Sequence, residues 1–420
     1  MNRNIKTWLN MCLILVVGSI VGTLLLTLVF CIPVDRAFQH YNDTGLEMIL
    51  SREGWHKYLV DYDASTLDNN TEWAMLKVAA TPLPKSIGDN VFRCAMRGYT
   101  LNTEWNHGMR FINYEWNGEW YSCDSYERYW HGYVVFLKPL LTLFSYTDII
   151  FLNMALQFGL ILFLMHILTK KKCKNLQIIF AFFWIISMQV IIMFSMDYSV
   201  CFYLYMLGAI TMLLWKKARE HYIYTFLVLG MLTSYMDFLT WPLVTLVIPL
   251  IVFLYVEQGK NMLTSLMASI SWGIGYVGLW MGKWGIGSLI LMDNILEDAI
   301  ERFLMRSSMK VVEGEVKTSF WETIKINFSV FSNKGYLALL IGMLLVIILL
   351  QLYRWHKGGS FKKGKFYNII ILLILPMGWY LVTSNHATEH YWMTWRNAAL
   401  AVMIVFAAIL MSYKEENRET

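Results

Sequence analysis

The chain has 420 residues, 57% of them hydrophobic and only 15% charged, a charge fraction too low and apolar runs too long for an ordinary soluble domain. Its net charge of +5 sits in short loops between apolar runs, as the positive-inside rule expects of a membrane protein, and this argues against nucleic acid as a partner. Six cysteines without a CxxC pair argue against a zinc ribbon or a thioredoxin-like motif.

Several apolar stretches approach or exceed the roughly 20 residues that cross a hydrocarbon core, and in lipid they must be helical because every backbone group needs an internal partner. Residues 8–31, after Arg3 and Lys6, are too long for a signal-peptide core and read as a retained first helix. Further spans are expected at 148–169, 176–194, 198–215, 221–236, 240–256, 262–282, 335–353, 367–383 and 396–413. They alternate with basic clusters at Lys170 to Lys174, at Lys216, Lys217 and Arg219, at Lys260, from Arg354 to Lys365, and at Lys414 and Arg418. With these clusters cytoplasmic, the chain reads as an all-α polytopic membrane protein of about ten transmembrane helices, both termini inside the cell. The first helix occupies 1–31, a large extracytoplasmic loop with interfacial helices 32–147, helices 2–7 residues 148–282, a second extracytoplasmic loop 283–334, and helices 8–10 with a cytoplasmic tail 335–420.

Tyr133 to Tyr146 is apolar but short and carries Lys138 and Pro139 in its middle. Counted as a span it would put the Lys170 cluster outside, so it is expected to lie as an interfacial or re-entrant helix on the outer surface. The large loop holds six tryptophans between Trp55 and Trp130 and is long enough to fold as a cap. Within it, Cys94 and Cys123 are either a disulfide or two buried thiols.

On this topology His40, His56, His107, His131, His386 and His390 lie outside, with Asp35, Asp43, Asp68, Glu72, Asp197 and Asp237 at or near the outer helix ends. Asp35 follows the first span, where Pro33 stops the helix. Asp68 and Glu72 are four apart and would share a helix face, where repulsion or burial raises one pKa into a general base's range; Asp68 or Thr71 is equally an N-cap for the same helix. Arg128 and His131, in SYERYWHGYVVFLKP, offer donors to a lipid phosphate while Tyr129, Trp130 and Tyr133 rest in the interface; an aromatic belt with an anchoring arginine is the plainer alternative. SNHATEHYWMTWR packs His386, Glu389, His390 and Arg396 between two spans. His386 to His390 matches the inverted zincin string H-x-x-E-H, but no third ligand stands at a suitable spacing, so donors for an anionic phosphate, or one edge of a divalent-metal site, fit better. Asp197 and Asp237 are turn residues near water, with Asp237 a candidate substrate contact.

The order of these features resembles the GT-C superfamily of membrane glycosyltransferases: a first helix, a large outer loop with acids soon after it, an Arg-aromatic-His segment leading into an interfacial helix with Pro, then spans with short outer turns. RYWHGYVVFLKPLLTLFSYTDIIFLN resembles the jaw-helix and second-span region of those enzymes, and MDFLTWPL and NHATEHYWMTWR are similar to segments of bacterial members. The resemblance implies a sugar transfer from a polyprenyl-phosphate donor to a glycan, lipid or protein acceptor at the outer face of a bacterial cytoplasmic membrane. It also implies an acidic base in the outer loop and a divalent cation such as Mg or Mn as the cofactor to consider. Asp35 matches that base by its closeness to the first helix, and Asp68 and Glu72 as an acid pair in the same loop. The tandem acidic pair common at the first helix end is here Asp35 followed by Arg36. Arg128, His131, Asp237, His386, His390 and Arg396 become the candidate phosphate or substrate contacts. Two other classes stay open: a transporter or flippase, favoured by the glycines from Gly273 to Gly287 but opposed by the scarcity of mid-helix charge, and a non-catalytic membrane assembly protein.

Overall fold

The computed structural model describes residues 3–46, 54–82, 90–101, 111–116, 118–307 and 318–413; His107, Lys414 and Arg418 lie outside them. Seven helices are long and apolar enough to cross a membrane: α1 (Arg3–Phe30), α6 (Tyr146–Lys170), α8 (Met196–Leu214), α11 (Met262–Leu291), α14 (Lys334–His356), α15 (Lys363–Val382) and α17 (Tyr391–Met411). The other three expected spans are shorter helices, α7 (Lys174–Ile186), α9 (Tyr222–Met236) and α10 (Val244–Val256). The chain is therefore a helical, membrane-embedded protein.

The short helices are sheltered by their neighbours. Every residue of α10 from Val244 to Tyr255 is buried, as a helix apolar on all sides requires, and it packs on α8 while α9 packs on α11. The α9–α11 contact is a backbone-to-backbone approach: a Cβ on Gly230 would fall 2.0 Å from the Trp272 carbonyl oxygen, and one on Gly275 2.0 Å from that of Leu227. Gly282 lies against the Ser19 side chain of α1, where a Cβ would fall 2.0 Å from its hydroxyl oxygen. Gly275, Gly278, Gly282 and Gly287 are thus packing positions on an unbroken helix. On α1 the hydroxyls of Ser19 and Thr23 bond back to the carbonyls of Leu15 and Ser19, each at 2.9 Å, which removes their polarity from an otherwise apolar helix. Its outer face leaves Leu9, Leu13, Val16, Ile20, Leu24 and Leu28 exposed for lipid.

The two ends of the bundle differ in charge. At one end the basic loops meet: Arg219 Nε donates to Glu257 at 2.8 Å, Asn368 Nδ2 to the Lys260 carbonyl at 2.7 Å and Arg354 Nη1 to the Leu410 carbonyl at 3.0 Å. At the other end the segment after α1 folds as a cap. It contains α2 (Asp35–His40), α3 (Asn69–Ala80), α4 (Val91–Arg97), strands β1 (Thr100–Leu101), β2 (Phe111–Trp116) and β3 (Glu119–Asp124), and α5 (Val134–Leu143). The strands form an antiparallel sheet in the order β1-β3-β2, with Tyr114 opposite Tyr121, a departure from the all-α expectation. Between β2 and β3, Gly118 has φ +83, a conformation that hairpin turns favour and glycine adopts freely.

As expected, α5 is too short to span and packs on α2 and α3. Cys94 and Cys123 are buried thiols. Lys283, expected to begin the second outer loop, instead lies inside α11, which runs on to Leu291, and its Nζ donates to the Met96 carbonyl of the cap at 2.7 Å. The second loop itself carries α12 (Ile295–Arg306) and α13 (Phe320–Ser329), and α16 (Ser384–Glu389) stands between α15 and α17.

Candidate functional site

At the capped end, the start of α3, the loop before α5, α12 and α16 surround a cavity of about 400 Å³. Beside it lies a second chamber of about 450 Å³ between α11, α12 and α15, whose surface is almost wholly apolar. The two share Arg128, Arg302, Arg306 and His386. A row of aromatics on α11, Trp272, Tyr276, Trp280 and Trp284, lines the apolar chamber; their spacing of four puts them on one helix face.

Asp298, Arg302 and Arg306 recur every four residues along α12, whose opposite face exposes Leu296, Ile300 and Phe303. Asp298 accepts from Arg128 Nη1 at 2.9 Å and lies 3.8 Å from Arg302 Nε, while Arg306 donates to the Tyr129 hydroxyl. Arg128 is positioned from below: Trp284 Nε1 donates to its carbonyl at 3.0 Å, and Trp130 Nε1 to that of Leu279 at 2.8 Å. Three guanidinium groups therefore face the cavities, with the buried Asp298 carboxylate close to Arg128 and Arg302. Neither α12 arginine nor the α11 aromatic row was singled out from the sequence, although both repeat at helical spacing.

Asp68 lines the polar chamber and caps α3, accepting from Thr71 N at 3.0 Å. Burial raises its pKa, and the hydrogen bonds from Thr71 only partly oppose this. Glu72, one turn on, does not line the cavity. It accepts from Met196 N at 2.8 Å, Asp197 N at 2.9 Å, Ser195 Oγ at 3.2 Å and the Tyr146 hydroxyl, so it fastens the cap to the N-terminus of α8, where a carboxylate is favoured by the exposed N–H groups. Burial raises its pKa too, against the pull of those donors. Asp35 is exposed at the start of α2 and lines neither chamber.

His386 and His390 line the polar chamber with ring centroids 4.7 Å apart. Burial and the neighbouring Arg306 hold both well on the neutral side, His390 down to about 4. His386 Nε2 and His390 Nδ1 have no hydrogen-bond partner, and neither does Asn70 Nδ2 on the same wall. Such a set of orphaned buried groups in one cavity is what a polar ligand satisfies.

The remaining candidates lie behind the wall. His131, at φ 55, sits between the Tyr126 carbonyl, 2.6 Å from Nε2, and the Tyr133 hydroxyl, 3.0 Å from Nδ1; burial presses its pKa down to about 3. It is a neutral clamp on the loop that carries Arg128, and Gly98 is needed beside it because a Cβ there would come within 2.7 Å of the ring. Asp237 lies beneath the floor, accepting from Thr240 Oγ1 at 2.7 Å and Cys201 Sγ at 3.2 Å, and burial raises its pKa. The same hydroxyl is 3.0 Å from Asp197 Oδ1. Arg396 is fully buried, its guanidinium carbon 4.0 Å above the Tyr198 ring.

Of the residues expected to form the site, Asp68, Arg128, His386 and His390 thus share a cavity, and Asp35, Glu72, His131, Asp237 and Arg396 do not line it. Among the described residues no group of three or more His, Cys, Asp or Glu side chains converges to hold a metal ion. Set against family models, curated proteins and solved structures, the chain matches none.

Proposed function

We propose that this chain is a membrane glycosyltransferase that moves a sugar from a polyprenyl-phosphate donor to an extracytoplasmic acceptor with inversion. The observation that carries the reading is the seam of Arg128, Arg302, Arg306 and His386 between an apolar, aromatic-lined chamber and a polar one. A ligand with a hydrocarbon tail, an anionic joint and a polar head fits that order of surfaces. The isoprenoid lies along the α11 aromatics, the phosphate takes charge-assisted hydrogen bonds from the arginines, and the sugar meets Asn70, His390 and Trp392. The charge difference between the two bundle ends supports an extracytoplasmic cavity.

In the reaction, the Asp68 carboxylate takes the proton of an acceptor hydroxyl as that oxygen attacks the anomeric carbon. The bond from that carbon to the phosphate oxygen breaks, and its electron pair stays on the departing lipid phosphate, which the guanidinium groups stabilise. A single displacement inverts the configuration. A proton-coupled transporter is favoured by one observation, the buried Asp197–Thr240–Asp237 chain. The unbroken α11 and the packing role of its glycines weigh against it.

The test is release of polyprenyl phosphate by the purified chain in lipid, offered a panel of polyprenyl-phosphate sugars and acceptors. Asp68→Asn should abolish turnover and Asp35→Asn should keep it. Turnover that survives Asp68→Asn removes the base assignment; no turnover with any donor, together with proton-driven uptake in liposomes, favours transport.

A further inference from the structure

At the basic end of the bundle, α14, α17 and the loop between α14 and α15 enclose a crevice of about 370 Å³. One face of α14 supplies Ile348, Gln351, Leu352 and Trp355, and Phe361 and Tyr413 close the lower edge. That edge is fixed by backbone pairing: Phe361 bridges Tyr413, and Lys362 N donates to the Ser412 carbonyl at 2.7 Å. The crevice is a built feature, distinct from the two chambers at the capped end.

Two observations define the chemistry of its occupant. Gln351 is 8% exposed and lines the crevice; its Nε2 donates to the Ile409 carbonyl at 3.1 Å, yet its Oε1 has no hydrogen-bond partner. A buried acceptor of this kind is satisfied by a donor on whatever enters. The same loop exposes Lys357 and Lys362, and Lys363 stands exposed at the start of α15; none of them forms an ion pair among the described residues. The acids that do pair at this end, Glu220 and Glu257, are engaged by Lys216 and Arg219.

We propose that this crevice binds an anionic phospholipid with a hydroxylated headgroup, drawn from the leaflet that the basic end faces. An acyl chain lies along Ile348, Leu352 and Trp355, the phosphate sits among the three lysines, and a headgroup hydroxyl donates to Gln351 Oε1. Juxtamembrane cations attract anionic lipid through the surface field, and the indole suits the depth where headgroup meets chain. A zwitterionic lipid offers the same chains but brings a cation against the lysines, and phosphatidic acid offers the charge without the headgroup hydroxyl. This proposal is independent of the reading of the opposite end.

The test uses the full-length purified chain, delipidated and titrated with phosphatidylglycerol, phosphatidylcholine or phosphatidic acid while bound lipid is followed by native mass spectrometry. Phosphatidylglycerol should bind roughly tenfold or more tightly than phosphatidylcholine. The triple variant Lys357→Gln, Lys362→Gln, Lys363→Gln should erase that preference, and Lys170→Gln, Lys171→Gln, Lys172→Gln, which removes as many charges from the same end, should keep it. Gln351→Leu should weaken phosphatidylglycerol and leave phosphatidic acid unchanged. Equal losses in the two triple variants would mean diffuse surface attraction and would overturn the site. Should the first triple variant not fold, photoactivatable phosphatidylglycerol on the wild-type chain decides: crosslinks should map to residues 348–361 and 409–413, and crosslinks spread over the other basic loops overturn the proposal.

Discussion

Asp68 and Glu72 stand one turn apart on α3, and their partners divide their roles. The spacing legible in the sequence put both on one helix face, but only the position of the α8 N-terminus separates an acid that lines a cavity from one that ties the cap to the bundle. Glu72→Gln would set amide hydrogens against the N–H groups of Met196 and Asp197, a loss of about 1–3 kcal/mol, read as a lower unfolding temperature before any change in chemistry. Asp68→Asn should leave stability near wild type, since Asn is as good an N-cap as Asp, while turnover falls by about 10²–10⁴. The pH dependence has a definite sign. Because burial raises the Asp68 pKa, kcat/KM should climb with pH through a midpoint above the ordinary carboxylate value of about 4. Stability should run the other way: a raised carboxyl pKa contributes stability at low pH that is lost as pH rises through it. A rate that falls over that window would contradict a carboxylate base.

At the scale of elements, periodicity served well for the long spans and poorly where chemistry sits on short amphipathic pieces. Each expected span corresponds to a helix, and α5 was recognisable from its Lys-Pro interruption. The β2–β3 hairpin was readable from Asn-Gly between alternating aromatics but was passed over in a chain dominated by helical runs. The same holds for α12, where Asp298, Arg302 and Arg306 share one face; a loop assignment hid the repeat. Because Arg306 shares the seam between the chambers, Arg306→Gln should raise the donor KM about ten- to a hundredfold, as expected for a lost charge-assisted hydrogen bond, with little effect on acceptor KM. Donor and acceptor titrations of one preparation separate these outcomes. On α11, Gly275→Leu must push apart helix backbones that a Cβ would bring to 2.0 Å, so a loss of at least about 1–3 kcal/mol is expected. Gly273→Ala, with open space around it, should be nearly silent in the same unfolding measurement.

For the whole molecule, the separation of charge between the bundle ends links fold to function. Loop charge was enough to predict which ends of the spans would meet, because short connections force neighbouring helices to be antiparallel. The cavity was not predictable, because it is assembled from segments more than 300 residues apart, Asp68 and His390 among them. If lysine and arginine mark the cytoplasmic side, a cysteine at Glu389, exposed beside the polar chamber, should react with a membrane-impermeant maleimide on intact cells. Cysteines at Lys171 or Lys357, exposed at the basic end, should react only after permeabilisation. Cys12 and Cys31, the exposed native thiols among the described residues, are first replaced by serine. The reverse pattern would turn the seam of arginines toward the cytoplasm, where the acceptor would have to be cytoplasmic and an extracytoplasmic transferase would be untenable. The expected pattern puts the arginine seam at the outer interface, where the proposed polyprenyl-linked donor would present its sugar away from the cytoplasm.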